Sequence, residues 1–151
     1  MHQNVQIVLQ SVQRPILTEG REALSWDSPQ CQQLGTETIG EYYRKGDSHY
    51  CLYEEQPEGW EQPARTMLKW RGHTIELQRK GNMITRMVFE PGNSYCSPYR
   101  TPYGELLMET ETRMVRVRET PREILLVVEY GLKLDRQPIS ENRMEIRVRY
   151  L

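Results

Sequence analysis

Hydrophobic residues recur at every second position over much of this chain. Ile124, Leu126, Val128, Tyr130, Leu132 and Leu134 fall on one side of an extended segment. Asn142, Met144, Ile146, Val148 and Tyr150 repeat the pattern, with Arg143, Glu145, Arg147 and Arg149 on the opposite side. A period of two marks a strand with one buried and one wet face. Antiparallel sheets produce it, whereas parallel sheets, covered on both sides, read as continuous apolar runs. The pattern predicts nine strands: Val5–Gln13, Thr36–Lys45, His49–Glu54, Arg65–Trp70, Thr74–Arg79, Thr85–Phe89, Leu106–Arg116, Glu123–Leu134 and Glu141–Tyr150.

Turn residues separate these segments: Lys45-Gly46-Asp47, Arg71-Gly72-His73, Lys80-Gly81-Asn82, Glu90-Pro91-Gly92-Asn93 and Thr120-Pro121. Short connections of this kind build a meander rather than βαβ units. So many strands close on themselves more readily than they stay flat. The chain therefore reads as all-β, one domain over residues 1–151, forming a single closed antiparallel up-and-down β-barrel of eight to nine strands. Leu106–Arg116 and Glu123–Leu134 are long enough for tilted barrel strands. Leu106, Met108, Thr110, Thr112 and Met114 share a face, but Val115 and Val117 fall on the other, so a β-bulge is expected near Met114. Thr18–Leu34 breaks the pattern and carries Leu24 and Trp26 at its centre; it is expected to be a loop or short helix over one barrel end. Glu54–Pro63 reads as an exposed acidic loop.

Composition narrows the function. The chain has 151 residues, 20 basic and 21 acidic, for a net charge of −1. Such a balance lacks the positive field that gathers nucleic acid. Arginines crowd the last third, but glutamates are interleaved with them, so cross-strand Arg–Glu pairs on a wet face are the simpler expectation. Cys31, Cys51 and Cys96 contain no C-x-x-C pair, and their odd number fits free thiols in a reducing cytoplasm. Met1–Gln10 is too polar for a signal h-region, and no apolar run reaches the length of a membrane helix. The expectation is a soluble cytoplasmic protein with no membrane partner; a homodimer is left open.

Several segments taken together resemble a known family. They are Gly40-Glu41-Tyr42-Tyr43-Arg44-Lys45, then Tyr50 and Tyr53-Glu54-Glu55, Thr66 and Lys69, Arg79 before Gly81, and Phe89 and Gly92. Tyr99-Arg100-Thr101-Pro102-Tyr103-Gly104-Glu105-Leu106, Tyr130-x-Leu132 and Asn142-x-Met144 complete the set. Their order resembles the YwiB-like family of Gram-positive bacteria, a domain-of-unknown-function family with a calycin-like, lipocalin-like β-barrel. The resemblance spans the chain from about Leu34, plus the first strand, and leaves Thr18–Leu34 unmatched. The lipocalin Gly-x-Trp signature is absent. The resemblance implies a fold and a cytoplasmic location, not an activity.

No catalytic motif emerges. His49 and Cys51 point the same way on a strand, but residues two apart lie roughly 7 Å from each other, too far for direct proton transfer. Glu54 and Glu55 face opposite sides of their strand, and Glu109 and Glu111 share the wet face with Arg113. His2, His49 and His73 are scattered, so neither a metal nor a cofactor is expected. Arg79 continues the apolar face of Ile75 and Leu77 and is expected to snorkel past the strand end or hold an anion inside. Lys69, between Leu68 and Trp70, points outward.

Tyrosines are the main candidates for contact with a ligand. Tyr42 and Tyr43 face opposite ways, so one of them lines the barrel, and Tyr99 and Tyr103 flank a Thr-Pro-Tyr-Gly turn suited to a barrel mouth. The reading is thus a non-enzymatic barrel holding a small, partly apolar ligand through Tyr42, Tyr43, Arg79, Tyr99 and Tyr103. The alternative is a filled barrel that acts on a protein or RNA through its outer surface. A small hydrolase-type enzyme stands third.

Overall fold

The computed structural model describes residues 2–16, 25–56, 61–81 and 84–151. Ten strands are present among them: β1 Gln3–Pro15, β2 Gln32–Lys45, β3 Ser48–Glu55, β4 Ala64–Arg71, β5 Thr74–Lys80, β6 Ile84–Phe89, β7 Ser94–Thr101, β8 Gly104–Glu119, β9 Glu123–Leu134 and β10 Gln137–Tyr150. All pair antiparallel in one sheet of order β6-β5-β4-β3-β2-β1-β10-β9-β8-β7. Pairing of β1 with β10 joins the two halves of the meander. The free edges, β6 and β7, curl back towards each other, where the Ser97 hydroxyl donates to the Arg86 carbonyl at 2.9 Å. The result is an all-β, nearly closed up-and-down barrel.

The ninefold expectation is one strand short, and the missing strand is β7. Its sequence, SYCSPYRT, carries Pro98 in the middle. Proline cannot donate to a ladder, so it argues against a central strand, but β7 pairs with β8 alone and leaves its other edge free. The tenth strand also begins earlier than expected. Asp135 and Arg136 both adopt left-handed backbone, with φ of 49° and 70°. This is the two-residue hairpin geometry that suits twisted strands, achieved here without glycine.

The bulge expected near Met114 is present. Thr112 pairs with Tyr130 and Met114 with Glu129, which leaves Arg113 as the extra residue. Met108, Thr110 and Thr112 are buried before it and Val115 after it, so the bulge restores the inward face that simple alternation would lose. Gly40 marks a second tight place. A Cβ there would lie 2.7 Å from the Leu52 carbonyl oxygen, 2.8 Å from Ile7 Cδ1 and 2.9 Å from Tyr53 Cβ. Only glycine lets β1, β2 and β3 approach this closely.

The barrel carries a packed core of its own side chains. Val5, Ile7, Leu68, Trp70, Ile75, Phe89, Ile124, Leu126, Val128, Ile146 and Val148 are essentially inaccessible. Each side chain of this size contributes about 1.5–3 kcal/mol on full burial. Residues 17–24, including Leu24, lie outside the described residues. The described remainder of that segment does not cover a barrel end: Trp26 lies on the outer wall, with the Arg14 guanidinium 4.1 Å from its ring centre. Arg14 faces out from β1, and a cation over an indole face is sufficient to hold the ring there. No helix among the described residues is long and apolar enough to cross a membrane.

Candidate functional site

Polar and apolar residues segregate inside this barrel. Strands run so that the start of β1, the end of β4 and the end of β10 meet at one end; the end of β3 and the end of β5 meet at the other. The first is closed by aromatic rings. Tyr42 Oη and His49 Nδ1 are hydrogen-bonded at 2.7 Å. The imidazole stacks on Trp70 with ring centres 4.9 Å apart and planes 3° from parallel. Tyr150 meets Tyr42 edge-on, and Glu119 Oε1 lies 3.7 Å from His49 Nε2. This cluster is a plug rather than a reactive centre. Burial raises the Tyr42 hydroxyl to about 12, with Tyr150 and Glu119 adding to it, the reverse of what an activated phenol needs.

Burial lowers the His49 pKa, against a smaller opposing pull from Glu119. A histidine depressed in the folded state binds its proton more readily when unfolded. His49 therefore subtracts nothing above its ordinary value of about 6.5, and costs stability as pH falls from there through the lower folded value. Thermal unfolding followed between pH 8 and 5 should show a decline below pH 6.5 that flattens in His49→Gln. An unchanged slope in that variant would remove His49 as its source. Beside it, burial raises the Cys51 thiol to about 12. The His49–Cys51 pair is thus a neutral histidine and an inert thiol. With Cys96 exposed and Cys31 half-buried, a disulfide-exchange reagent should titrate two thiols in the native protein and the third only after denaturation. Three rapid equivalents would show that the core opens.

Polar chemistry gathers at the opposite end. Alternation along β3 sends Cys51, Tyr53 and Glu55 inward while Leu52 and Glu54 face water. Glu55 is buried, with only 4% of its side chain exposed. Arg79 on β5 donates from Nε to Glu55 Oε1 at 2.5 Å, reaching across β4. Thr66, on β4 between them, donates to the same oxygen at 2.8 Å. Arg79 therefore does not snorkel away: a carboxylate inside the barrel holds it, and 24% of its side chain still reaches water. Burial alone would lower the Arg79 pKa, but the Glu55 carboxylate more than offsets this and the net shift is upward.

Nη1 and Nη2 of Arg79 make no hydrogen bond among the described residues. Tyr53 lies close enough for its hydroxyl to feel both Glu55 and Arg79. That hydroxyl is buried without a hydrogen-bond partner, as is Thr112 Oγ1. Thr112 sits opposite Tyr130 across the β8–β9 ladder. Burial raises the Tyr130 phenol to about 12, with Arg79 as the opposing influence. Ser140 and Asn142 add a buried, mutually hydrogen-bonded pair on β10. A fixed cation with donors free among the described residues, near the unpaired buried Tyr53 hydroxyl, is an arrangement suited to an anionic group.

The five residues singled out from sequence do not converge. Tyr42 lines the barrel, but at the aromatic end. Tyr43 is on the outside, stacked on Tyr50 at 4.9 Å. Tyr99 lies half-buried on the edge strand β7, and Tyr103 is 99% exposed on the turn that follows. Arg79 occupies the polar end, and Tyr99 lies towards the same end of the barrel on the face of buried Ser97. Glu55, Tyr53, Thr66, Thr112 and Tyr130 were not among the ligand contacts expected from sequence. Glu55 had a signal, since it extends the inward series Cys51, Tyr53. On the outer wall, Lys69 lies with its ammonium 5.5 Å from the Tyr50 ring centre. The arginine-rich face pairs in part: Arg113 with Glu141, Arg143 with Glu129, and Arg147 and Arg149 with Glu123, whereas Arg116, Arg118 and Arg122 make no ion pair among the described residues.

Residues 23–146 match a protein family described as Domain of unknown function (DUF1934). The chain belongs to this family. Among solved structures, it is similar to the ywiB protein from Bacillus subtilis, with a TM-score of 0.78 and 18% identity over 99% of this chain and 93% of that one. At that identity the likeness establishes the DUF1934 barrel as a shared fold. A search among curated proteins gave no match. Among the described residues, no three His, Cys, Asp or Glu side chains are grouped to hold a metal.

Proposed function

We propose that this DUF1934 protein is a non-enzymatic binding domain that takes a small anionic, partly apolar ligand at the Arg79 end of its barrel. The observation that carries the reading is the Arg79 guanidinium, fixed by Nε on buried Glu55 with neither Nη group hydrogen-bonded among the described residues. The unpaired Tyr53 hydroxyl supports it, because a buried hydroxyl without a partner costs about 1–3 kcal/mol that a ligand oxygen would recover. Carboxylate and phosphate groups match a guanidinium edge in geometry and charge. A cytoplasmic location is in keeping with three free thiols.

The test is thermal unfolding against a panel of small mono- and dicarboxylates and phosphate esters. A ligand present at 100 times its Kd stabilises by about 2.7 kcal/mol, or roughly 5–10 °C for a domain of this size. The shift should vanish in Arg79→Gln. A shift that persists in that variant would place the ligand elsewhere, and no shift with any member of the panel would count against the anion. The second reading, a barrel that works through its outer surface, is favoured by the placement of the cavities. Those of about 430, 850 and 370 Å³ are lined mainly by outward-facing or edge residues, such as Trp26 and Arg143, Ile39 and Leu52, and Cys96 and Pro98.

A further inference from the structure

Charges on the outer wall are satisfied unevenly, with Arg116 and Arg118 on β8 making no ion pair among the described residues. On β8, β9 and β10, Arg113, Lys133, Arg143, Arg147 and Arg149 each reach a glutamate within 3.4 Å. On β2 to β5 the side chains of Glu54, Arg65 and Lys80 make no hydrogen bond or ion pair among the described residues. Glu54 and Arg65 are direct cross-strand neighbours, yet they do not close on each other. Between and beside them lies apolar surface. Ile39 is 58% and Leu52 39% exposed, and Leu52 stands opposite half-buried Met67. An open dish of about 850 Å³ lies over these residues. Large apolar side chains rimmed by unpaired charges mark a surface that meets another macromolecule.

We propose that this face is a two-fold interface with a second copy of the chain. The argument is self-complementarity. Of the charged residues lining the dish, Glu41 and Glu54 lie on β2 and β3, and Arg65 and Lys80 lie on β4 and β5. A two-fold axis running along the strands between β3 and β4 exchanges the acidic half with the basic half. It sets Leu52 on Met67 of the second copy and Glu54 on Arg65 of the second copy, each contact occurring twice. Isologous contacts have this reciprocal form, and two sheets packed face to face keep their strands within about 30° of each other. The dish is filled by the long Met67, Arg65 and Lys80 side chains of the other copy, with the Lys80 stem lying over Ile39. The inference is independent of any ligand inside the barrel.

Sedimentation velocity over a range of protein concentrations tests it, with far-UV circular dichroism as the control for folding. The wild type should sediment as a dimer that dissociates on dilution. Leu52→Asp, an outward position, should be monomeric with an unaltered fold. Glu54→Arg and Arg65→Glu should each weaken association at least about tenfold by placing like charges together, and the double variant should return to within a few-fold of wild type. A wild type that stays monomeric at every concentration overturns the proposal. So does a dimer indifferent to Leu52→Asp, which would use another face, or a double variant no better than the singles.

Discussion

Arg79→Met should destabilise the protein by about 3–5 kcal/mol, the usual consequence of removing one member of a buried ion pair. The arginine itself is a minor part of that loss, since methionine fills similar space and Arg79 already touches water. The larger part is Glu55. It is buried, and its Oε1 accepts from Arg79 and Thr66; without the guanidinium it is a charge held in a low-dielectric interior by a single hydroxyl. Glu55→Gln combined with Arg79→Met should therefore recover much of the loss, because an amide can bond to Thr66 without carrying charge. Urea unfolding of the two single variants and the double variant measures this directly. A loss under about 1 kcal/mol in Arg79→Met, the range of exposed pairs, would mean that water already solvates Glu55.

Trp70→Ala should cost about 3–5 kcal/mol, the range for deleting a large aromatic from a core. Trp70 is almost wholly buried and forms the surface on which both His49 and Tyr42 lie. Its indole nitrogen has no hydrogen-bond partner, so the loss is one of packing and a cavity rather than of a polar contact. The variant carries a second, separate readout. His49 titrates low because it is desolvated, and loss of the ring that covers it should bring its pKa back towards the ordinary value, as followed by NMR of the imidazole protons. An unchanged His49 pKa would show that Tyr42 and Tyr150 suffice to shield it.

Much of the architecture was legible because the barrel obeys a period of two wherever one face is buried. Glu123–Leu134 was read to the residue, and the bulge beside Met114 was visible as a change of face at Val115. What escaped depends on pairing partners far away in sequence. β7 contains a proline that is tolerable only at an edge, and nothing local says that Ser94–Thr101 lies at one. The β9–β10 turn at Asp135 and Arg136 lacks the glycine that normally announces left-handed backbone. Trp26 was expected over a barrel end, yet its partner is an outward arginine on the neighbouring strand.

The candidate site was legible only in part for the same reason. Alternation showed that Arg79 must face inward, but its fate depends on Glu55, 24 residues earlier. Glu55 itself was passed over as half of an acidic doublet, although its inward parity was as clear as that of Tyr53. Tyrosine clustering in the sequence misled for a different reason. Tyr42 and Tyr43 are adjacent, so one had to face out. Tyr99 lies half-buried on an edge strand, on the face of Ser97, and Tyr103 is exposed on the turn that follows. Parity along a strand located the polar end of this barrel better than the grouping of residue types did.

The most direct test of the account is native mass spectrometry of the protein purified from its native cells, set against its denatured mass. The account predicts a stoichiometric extra mass that belongs to a small anion, is lost on denaturation and is absent from Arg79→Gln. A clean protein mass for the wild type, or an extra mass that Arg79→Gln retains, would contradict it.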